Sequence, residues 1–309
     1  MGRKVIQLNP TTLAITLPKK WTKDYNVTKG NEVSVEEDES GNLMLRTSKP
    51  LFNKTEIALT TKDIEQPKKI SHNAVRTILV NALRKGYHEI NVTFDTPSIM
   101  KSINEVVSEV LGYEIVEQTN TNCTIKNIVT ITDTNIDKFF IKFQHMAKHL
   151  GKLVYNELKE NTPNNEEISS YFVMIERNFN SFYRLIMEDT KMKINDKICF
   201  FGAVNQLYQA LRNINMAHKQ YIIMNHKVNK KTLHYAQEVL NFMDNILQFS
   251  NTKQLNTISS LINTMNTLTI TEINKLISEN SKDNSILMHW SFAARRFWDF
   301  MSPYIASIV

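Results

Sequence analysis

Four short β-prone runs crowd into the first 46 residues and constrain the fold more than any other feature of the chain. They lie at residues 3–8, 13–17, 33–36 and 43–46, and the turn Lys29-Gly30-Asn31-Glu32 separates the two pairs. Four strands in so few residues cannot bury a core by themselves. The sequence therefore predicts a small β unit that pairs with a second copy, forming a homodimer.

Basic side chains crowd into the first half of this unit. Up to residue 31 there are six of them against one acid, Asp24, and the acidic run at residues 36–39 then offsets the excess. Charge separated in this way favours one face that binds a polyanion. Two copies would double the number of these basic side chains. Several of them could contact phosphates, and the affinity for DNA would then fall steeply as the salt concentration rises. The predicted DNA-binding residues are Arg3, Lys4, Lys19, Lys20 and Lys23.

Recognition of the DNA backbone and shape is favoured over base readout, because Arg3 is the only arginine in this cluster and arginine is the usual reader of guanine edges. Two plainer interpretations stay open. The basic residues could keep the unit in solution, or the unit could serve only to dimerise.

The first 48 residues resemble a SpoVT/AbrB-type swapped-hairpin domain. The resemblance rests on Arg3-Lys4-Val5, on TLAITLPKKW at 12–21, on KGNEV at 29–33 and on GNL at 41–43. It implies an intertwined homodimer that binds double-stranded DNA. The chain departs from the family at Asn9-Pro10-Thr11, where members commonly carry a Gly-Ser turn.

Length and composition bound the remaining possibilities. A chain of 309 residues allows two or three domains. Cys123 and Cys199 are far apart and form no CxxC motif, which fits a reducing cytoplasm without disulfides or a zinc cage. Neither a signal peptide nor an apolar run of membrane-spanning length is recognised. We expect a cytoplasmic protein without membrane insertion.

The middle of the chain predicts a small α/β connector at residues 51–130. Its elements are a helix at 71–85 with Ser71 as N-cap, a strand at 89–94, a helix at 98–110 and a hairpin from 113–118 and 123–129. The segment lacks a glycine loop or an acid/base cluster, so a structural connector is favoured over a small-molecule site.

From residue 134 to 309 apolar side chains recur about every 3.6 residues, which predicts a helical bundle. The first helix extends to about residue 158, and others are expected near 166–190, 193–226, 230–249, 252–279 and 284–306. Three helices followed by three of similar length suggest a duplicated unit. The aromatic side chains are expected mainly in the core: Phe179, Phe182, Tyr183, Phe200, Phe201, Trp290, Phe292, Phe297, Trp298 and Phe300.

This helical region resembles the PhoU family of phosphate-uptake regulators, whose core is a pair of three-helix bundles. Residues 82–90 and 111–117 look like the connector of archaeal PhoU-like proteins with a swapped-hairpin head, and residues 171–179 look like their second bundle helix. The resemblance implies a multidomain protein, with an all-β AbrB-like dimer at 1–48, the α/β connector at 51–130 and an all-α six-helix bundle at 134–309.

PhoU-type proteins usually hold a metal cluster with E-x-x-x-D motifs, and those motifs are missing here. Residues 205–213 carry amides and Arg212, Asp299 stands alone, and Ser169 and Ser302 lie where carboxylates would be expected. The metal cluster is therefore predicted to be lost, with no cofactor.

Histidines provide the remaining metal candidates. His145 and His149 are four apart on one helix face, but solvated side chains are favoured over a metal site because no acid lies close by. His218, His226 and His234 are interpreted as capping or surface residues.

The sequence supports three hypotheses, none of them an enzyme, because nucleophile, P-loop and dinucleotide motifs are not found. The first is a DNA-binding transcriptional regulator of phosphate uptake, whose bundle receives a signal through a protein partner. The second is an adaptor that only dimerises through its first domain and docks on a phosphate transporter or its signalling partner. The third is a metal sensor using His145 and His149. The promoter, the effector and any assembly beyond a dimer are not encoded in a recognisable motif.

Overall fold

The computed structural model describes residues 2–37, 41–47, 54–60, 72–129, 136–189, 192–279 and 282–308. The chain divides into two compact units, Met1–Lys54 and Thr55–Val309. The predicted boundaries at 48–51 and 130–134 stay predictions, since residues 48–53 and 130–135 lie outside the described ranges.

The first unit, here called the head (residues 2–47), consists of two antiparallel hairpins and one short helix. Strands β1 and β2 pair with Val5 opposite Ile15, and β3 and β4 pair with Val35 opposite Leu45. The four predicted strands are thus confirmed, whereas the helix was not predicted. The elements are β1 Val5–Asn9, β2 Thr12–Ile15, α1 Lys19–Asp24, β3 Val33–Glu37 and β4 Leu43–Thr47.

Side-chain hydrogen bonds shape the turns of the head. The Asn9 Oδ1 atom accepts from the Thr11 backbone N at 3.0 Å and from Thr11 Oγ1 at 3.1 Å, which closes the β1–β2 turn without a Gly-Ser pair. Gly30 has φ +91°, a conformation that glycine adopts without steric cost. The neighbouring Asn31 Oδ1 accepts from the Thr28 backbone N at 2.8 Å.

In the second unit, a four-stranded sheet with the order β5-β6-β8-β7 packs against two helices. Ile90, Val92 and Phe94 alternate along β6 and share one core with side chains from both helices. The first strand, β5, was missed by the sequence analysis, and the Ser71 cap lies outside the described residues. This α/β layer comprises β5 Lys54–Leu59, α2 His72–Arg84, β6 Glu89–Phe94, α3 Pro97–Ser108, β7 Tyr113–Gln118 and β8 Asn122–Asn127.

The helical body (residues 136–308) follows the predicted helix order around one large apolar core. Two predicted helices are subdivided. The fifth begins with a 3-10 turn, Leu255–Thr257, and contains a π-helical stretch, Thr267–Glu272, while the last is divided near Phe300. Its helices are α4 Ile136–Glu160, α5 Asn165–Glu188, α6 Ile194–Met224, α7 Lys230–Thr252, α8 Ile258–Asn266, α9 Ile273–Ser278, α10 Asn284–Asp299 and α11 Met301–Ala306.

Most of the aromatic residues assigned to the core are buried there. Trp290, Phe297 and Phe300 are fully buried, whereas Phe292 is 47% exposed and was wrongly assigned to the core. None of the helices in the described ranges is long and apolar enough to cross a membrane.

Helix α5 presents a polar stripe to the α/β layer. Its residues Glu176, Asn180 and Arg184 are spaced by four and therefore share one face. The Arg76 guanidinium of α2 bridges Glu109 at 2.8 Å and Glu176 at 3.2 Å. Polar side chains thus join the layer to the body within one compact unit.

Arg184 completes this contact. Its guanidinium is fully buried and donates to the carbonyl oxygens of Leu111 and Val129, both at 3.2 Å. It also lies over the Tyr113 ring, 4.9 Å from the centroid. The Tyr113 hydroxyl in turn donates to the Tyr87 carbonyl at 2.9 Å. A buried cation is tolerated here because its N–H groups donate hydrogen bonds to backbone carbonyl oxygens.

Candidate nucleic-acid interface

Three of the predicted DNA-binding residues, Lys19, Lys20 and Lys23, lie on α1 and are exposed. Pro18 precedes the helix with φ −64° and ψ 129°, and its carbonyl accepts from the Thr22 backbone N at 3.0 Å. Proline suits this position because a helix start leaves N–H groups without partners and proline has none. The sequence therefore begins a helix at the point where its lysines cluster.

The two sides of α1 differ in character. Trp21 and Tyr25 are four apart and their rings contact, with 5.0 Å between centroids. Lys19 and Lys23 are also four apart, and two positions separate Lys19 from Trp21, a rotation of about 200° around the helix. Lys19 and Lys23 thus face away from the half-buried aromatic pair.

Arg3 and Lys4 lie at the open end of the β1–β2 hairpin and are exposed as well. The Arg3 Nη1 atom donates to Thr16 Oγ1 at 3.2 Å, just beyond the Val5–Ile15 pair. From Thr16 the chain leads through two residues into α1. All five predicted residues therefore belong to one end of this hairpin and to the helix that follows it.

None of the head's side chains whose burial the structure describes is buried, although its strands carry large apolar side chains. Leu8 and Leu13 are each 68% exposed, and Val5 is 59% exposed. The hairpins therefore present apolar surface on the same small unit that carries the cations.

The metal candidates lie elsewhere. His145 and His149 are exposed on α4, and the His149 ring meets the edge of Tyr171, with 4.8 Å between centroids. Within the residues that the structure describes, no three His, Cys, Asp or Glu side chains come together as a metal group would require.

The surface interpretation of His218 is wrong. His218 is fully buried, and its Nε2 lies 2.9 Å from the Glu157 Oε2 atom, which also accepts from the Asn164 backbone N at 2.9 Å. The sequence contained the signal, because His218 continues the buried stripe of Leu207, Leu211 and Ile214 at helical spacing.

The other two histidines are less enclosed. His226 is half-buried, and its Nε2 lies 2.6 Å from the Asp283 Oδ1 atom at the start of α10. Asp283 Oδ2 also accepts from the Asn229 backbone N at 2.8 Å. His226 and Asp283 therefore fasten the loop between α6 and α7 to α10, while His234 is exposed as predicted.

Comparison with known proteins identifies the head and leaves the body open. A family model described as "Antidote-toxin recognition MazE, bacterial antitoxin" matches residues 6–51. The N-terminal part is thus a MazE/AbrB-type domain, which fits a DNA-binding regulator. No curated protein and no solved structure matches the chain. The PhoU-like resemblance of the helices stays a prediction.

Proposed function

We propose that this chain, which begins with a MazE/AbrB-type domain, is a homodimeric, cytoplasmic and non-enzymatic transcriptional regulator. The head binds double-stranded DNA, and the α/β layer and helical body receive the regulatory signal. The observation that carries the proposal is the set of exposed cations at one end of the β1–β2 hairpin in a domain of this type: Arg3, Lys4, Lys19, Lys20 and Lys23.

Phosphate contacts would supply the affinity. Lysine ammonium groups meet phosphates as point charges, release condensed counterions and make binding salt-dependent. Arg3 is already held by Thr16 at 3.2 Å, so its guanidinium is partly ordered before it meets DNA. Less side-chain entropy is then lost on binding.

Dimerisation would supply the missing core of the head. Exposed Val5, Leu8 and Leu13 need cover, and a unit of this size cannot provide it alone. A second copy would bury these side chains and place a second lysine cluster on the same assembly.

The PhoU-like resemblance supports phosphate status as the signal, received through a protein partner. Three of the body's polar residues, Glu176, Asn180 and Arg184, hold the α/β layer firmly to α5. A partner that displaces the body would therefore displace the layer as well.

An adaptor is the second candidate, because a head without buried residues needs a partner copy whether or not it binds DNA. In that case the head only dimerises, and the body docks on a phosphate transporter or its signalling partner.

The test is a titration of the full-length protein with its own upstream region and with a random duplex at several salt concentrations. Lys19→Glu with Lys20→Glu should abolish binding and leave the dimer intact. Lys219→Glu with Lys275→Glu, two exposed lysines of the body, makes the same charge change as a control. Absence of binding by the wild type at low salt would favour the adaptor, and unchanged affinity of the head variant would refute the site.

A further inference from the structure

Helix α4 carries a continuous basic surface on its solvent side. The residues of this basic surface are three, four or seven positions apart, so they share one helix face, and every one of them is exposed. One carboxylate, exposed Glu160, lies on the same stripe at the end of α4, and the position between the last two cations is Asn156. This surface, here called the α4 ridge, consists of Lys138, Lys142, His145, His149, Lys152 and Lys159.

Charges on neighbouring positions leave most of the ridge uncompensated. Lys148, beside the ridge, is paired with Asp244 of α7 at 3.0 Å. Glu157 points into the body, where it binds His218. Within the described part of the chain, no hydrogen bond or ion pair engages the ammonium groups of Lys142, Lys152 or Lys159. Their charge is therefore available to an external anion.

We propose that the α4 ridge is a second nucleic-acid surface, which contacts the phosphate backbone of duplex DNA. The inference rests on the proposed DNA-binding function and extends it from the head to the helical body. It also reassigns His145 and His149, which become part of a polyanion surface in place of a metal site.

The chemistry of the ridge favours nucleic acid over other anionic partners. Protein interfaces carry an apolar core depleted of lysine, whereas the ridge has six basic side chains and one exposed apolar neighbour, Ile141. A membrane-surface helix inserts an apolar face into lipid, but the apolar face of α4, including Phe143, Ala147 and Leu150, is already buried in the body. A row of basic residues with this little apolar surface matches a phosphate backbone.

The dimensions agree with this assignment. Lys138 and Lys159 are 21 positions apart, so the ridge is about 31 Å long at the usual helical rise. Its basic residues recur every three or four positions, roughly 4.5–6 Å along the axis, except at Asn156. A DNA strand presents one phosphate per about 3.4 Å of axis, so the ridge can meet several phosphates at once.

The experiment compares full-length variants by the slope of log K against log salt concentration. The ridge variant carries Lys142→Gln, Lys152→Gln and Lys159→Gln. Its matched control carries Lys219→Gln, Lys230→Gln and Lys275→Gln, which removes the same charge from exposed positions outside α4. Because each lost phosphate contact reduces the slope by about 0.9, the ridge variant should lose up to about 3 in slope and about tenfold or more in affinity. The control should bind as the wild type does.

The outcomes separate the inference from the proposed function. If the ridge variant has wild-type affinity and slope while the Lys19/Lys20 variant fails to bind, the inference is overturned and the function of the head stands. If the ridge variant loses affinity while the Lys19/Lys20 variant binds normally, the ridge is supported and the head site fails. Vesicles of phosphatidylserine and phosphatidylcholine test the membrane alternative. A ridge variant that loses vesicle binding but keeps full DNA affinity would also overturn the proposal.

Discussion

Arg84 of α2 and Asn180 of α5 are joined by two short hydrogen bonds: the guanidinium Nε and Nη2 atoms lie 2.8 and 2.6 Å from the amide Oδ1. Asn180 is fully buried, and its Nδ2 donates to the Glu109 carbonyl at 3.4 Å. Burial lowers the pKa of Arg84 from its ordinary value, yet an arginine side chain stays charged in proteins. One amide therefore serves both a cation and a carbonyl of the α/β layer.

Replacing this amide should destabilise the second unit. Asn180→Ala leaves the Arg84 guanidinium without its acceptor, and a buried polar group left unsatisfied costs about 1–3 kcal/mol. The free energy of unfolding by urea measures the effect. Asn245→Ala, at an exposed position of α7, is the control and should change stability by less than about 0.5 kcal/mol. Equal losses in both variants would contradict the role of Asn180.

Two glycines should respond oppositely to alanine. Gly112 has φ +87°, and a Cβ there would lie 2.9 Å from the Arg184 Nη1 atom, so Gly112→Ala both strains the backbone and displaces a buried cation. We expect it to cost about 1–3 kcal/mol of stability. Gly202 lies inside α6, where a Cβ would meet Pro303 at an ordinary 3.4 Å. Gly202→Ala should be neutral or stabilise by up to about 1 kcal/mol. Thermal unfolding of the two variants provides the comparison.

Dimerisation should depend on the apolar side chains of the first hairpin. Leu13 and Ile15 lie on the same side of β2 because they are two residues apart. Leu13→Ser with Ile15→Ser removes apolar surface without changing charge, so the protein should sediment as a monomer at concentrations where the wild type is dimeric. The control replaces Ile223 and Ile270, exposed by 73% and 55% in the body, with serine. A hairpin variant that remains dimeric would place the interface elsewhere.

The two cysteines should differ in reactivity. Burial raises the pKa of the Cys123 thiol from its ordinary 9.0 to about 11, and the residue is 3% exposed. Because the thiolate is the nucleophile, Cys123 should react with iodoacetamide much more slowly than half-exposed Cys199 at pH 8. Mass spectrometry of a labelling time course measures both rates. The two cysteines should be labelled at comparable rates only in denaturant. Comparable rates in the folded protein would contradict this prediction.

The same thiol predicts a loss of stability in alkali. Unfolded Cys123 releases its proton near pH 9, whereas the folded protein retains it until about pH 11. Its contribution to stability is therefore complete below pH 9 and is lost as the pH rises towards 11. Cys123→Ala should show a smaller decrease in unfolding free energy between pH 9 and 10.5 than the wild type, and Cys199→Ala should behave as the wild type does.

Periodicity predicted elements well where one face of the element is apolar. Helix α4 follows from Phe140, Phe143, Ala147 and Leu150, and β6 follows from the alternation of Ile90 and Val92. Strand β5 was missed although Thr55, Ile57 and Leu59 alternate, because the run is short and is flanked by Pro50 and by polar residues after Thr60. Helix α1 was missed because its six residues, between Pro18 and the turn that contains Gly30, are too few to show a periodicity that distinguishes a helix from a loop.

Contacts between distant elements were not predictable in the same way. Glu176, Asn180 and Arg184 are polar residues on one helix face, and such a pattern usually indicates a face that is exposed to solvent. Only the three-dimensional packing supplies their partners in α2, α3 and the loops of the α/β layer.

The head without buried residues has a consequence for regulation. In the proposed dimer the head takes its core from a second copy, so its folded fraction rises with protein concentration, because association and folding share one equilibrium. At low abundance the lysines of α1 would belong to a largely unstructured segment with little DNA affinity. The amount of protein in the cell would then set a threshold for DNA binding, steeper than simple mass action on a preformed site.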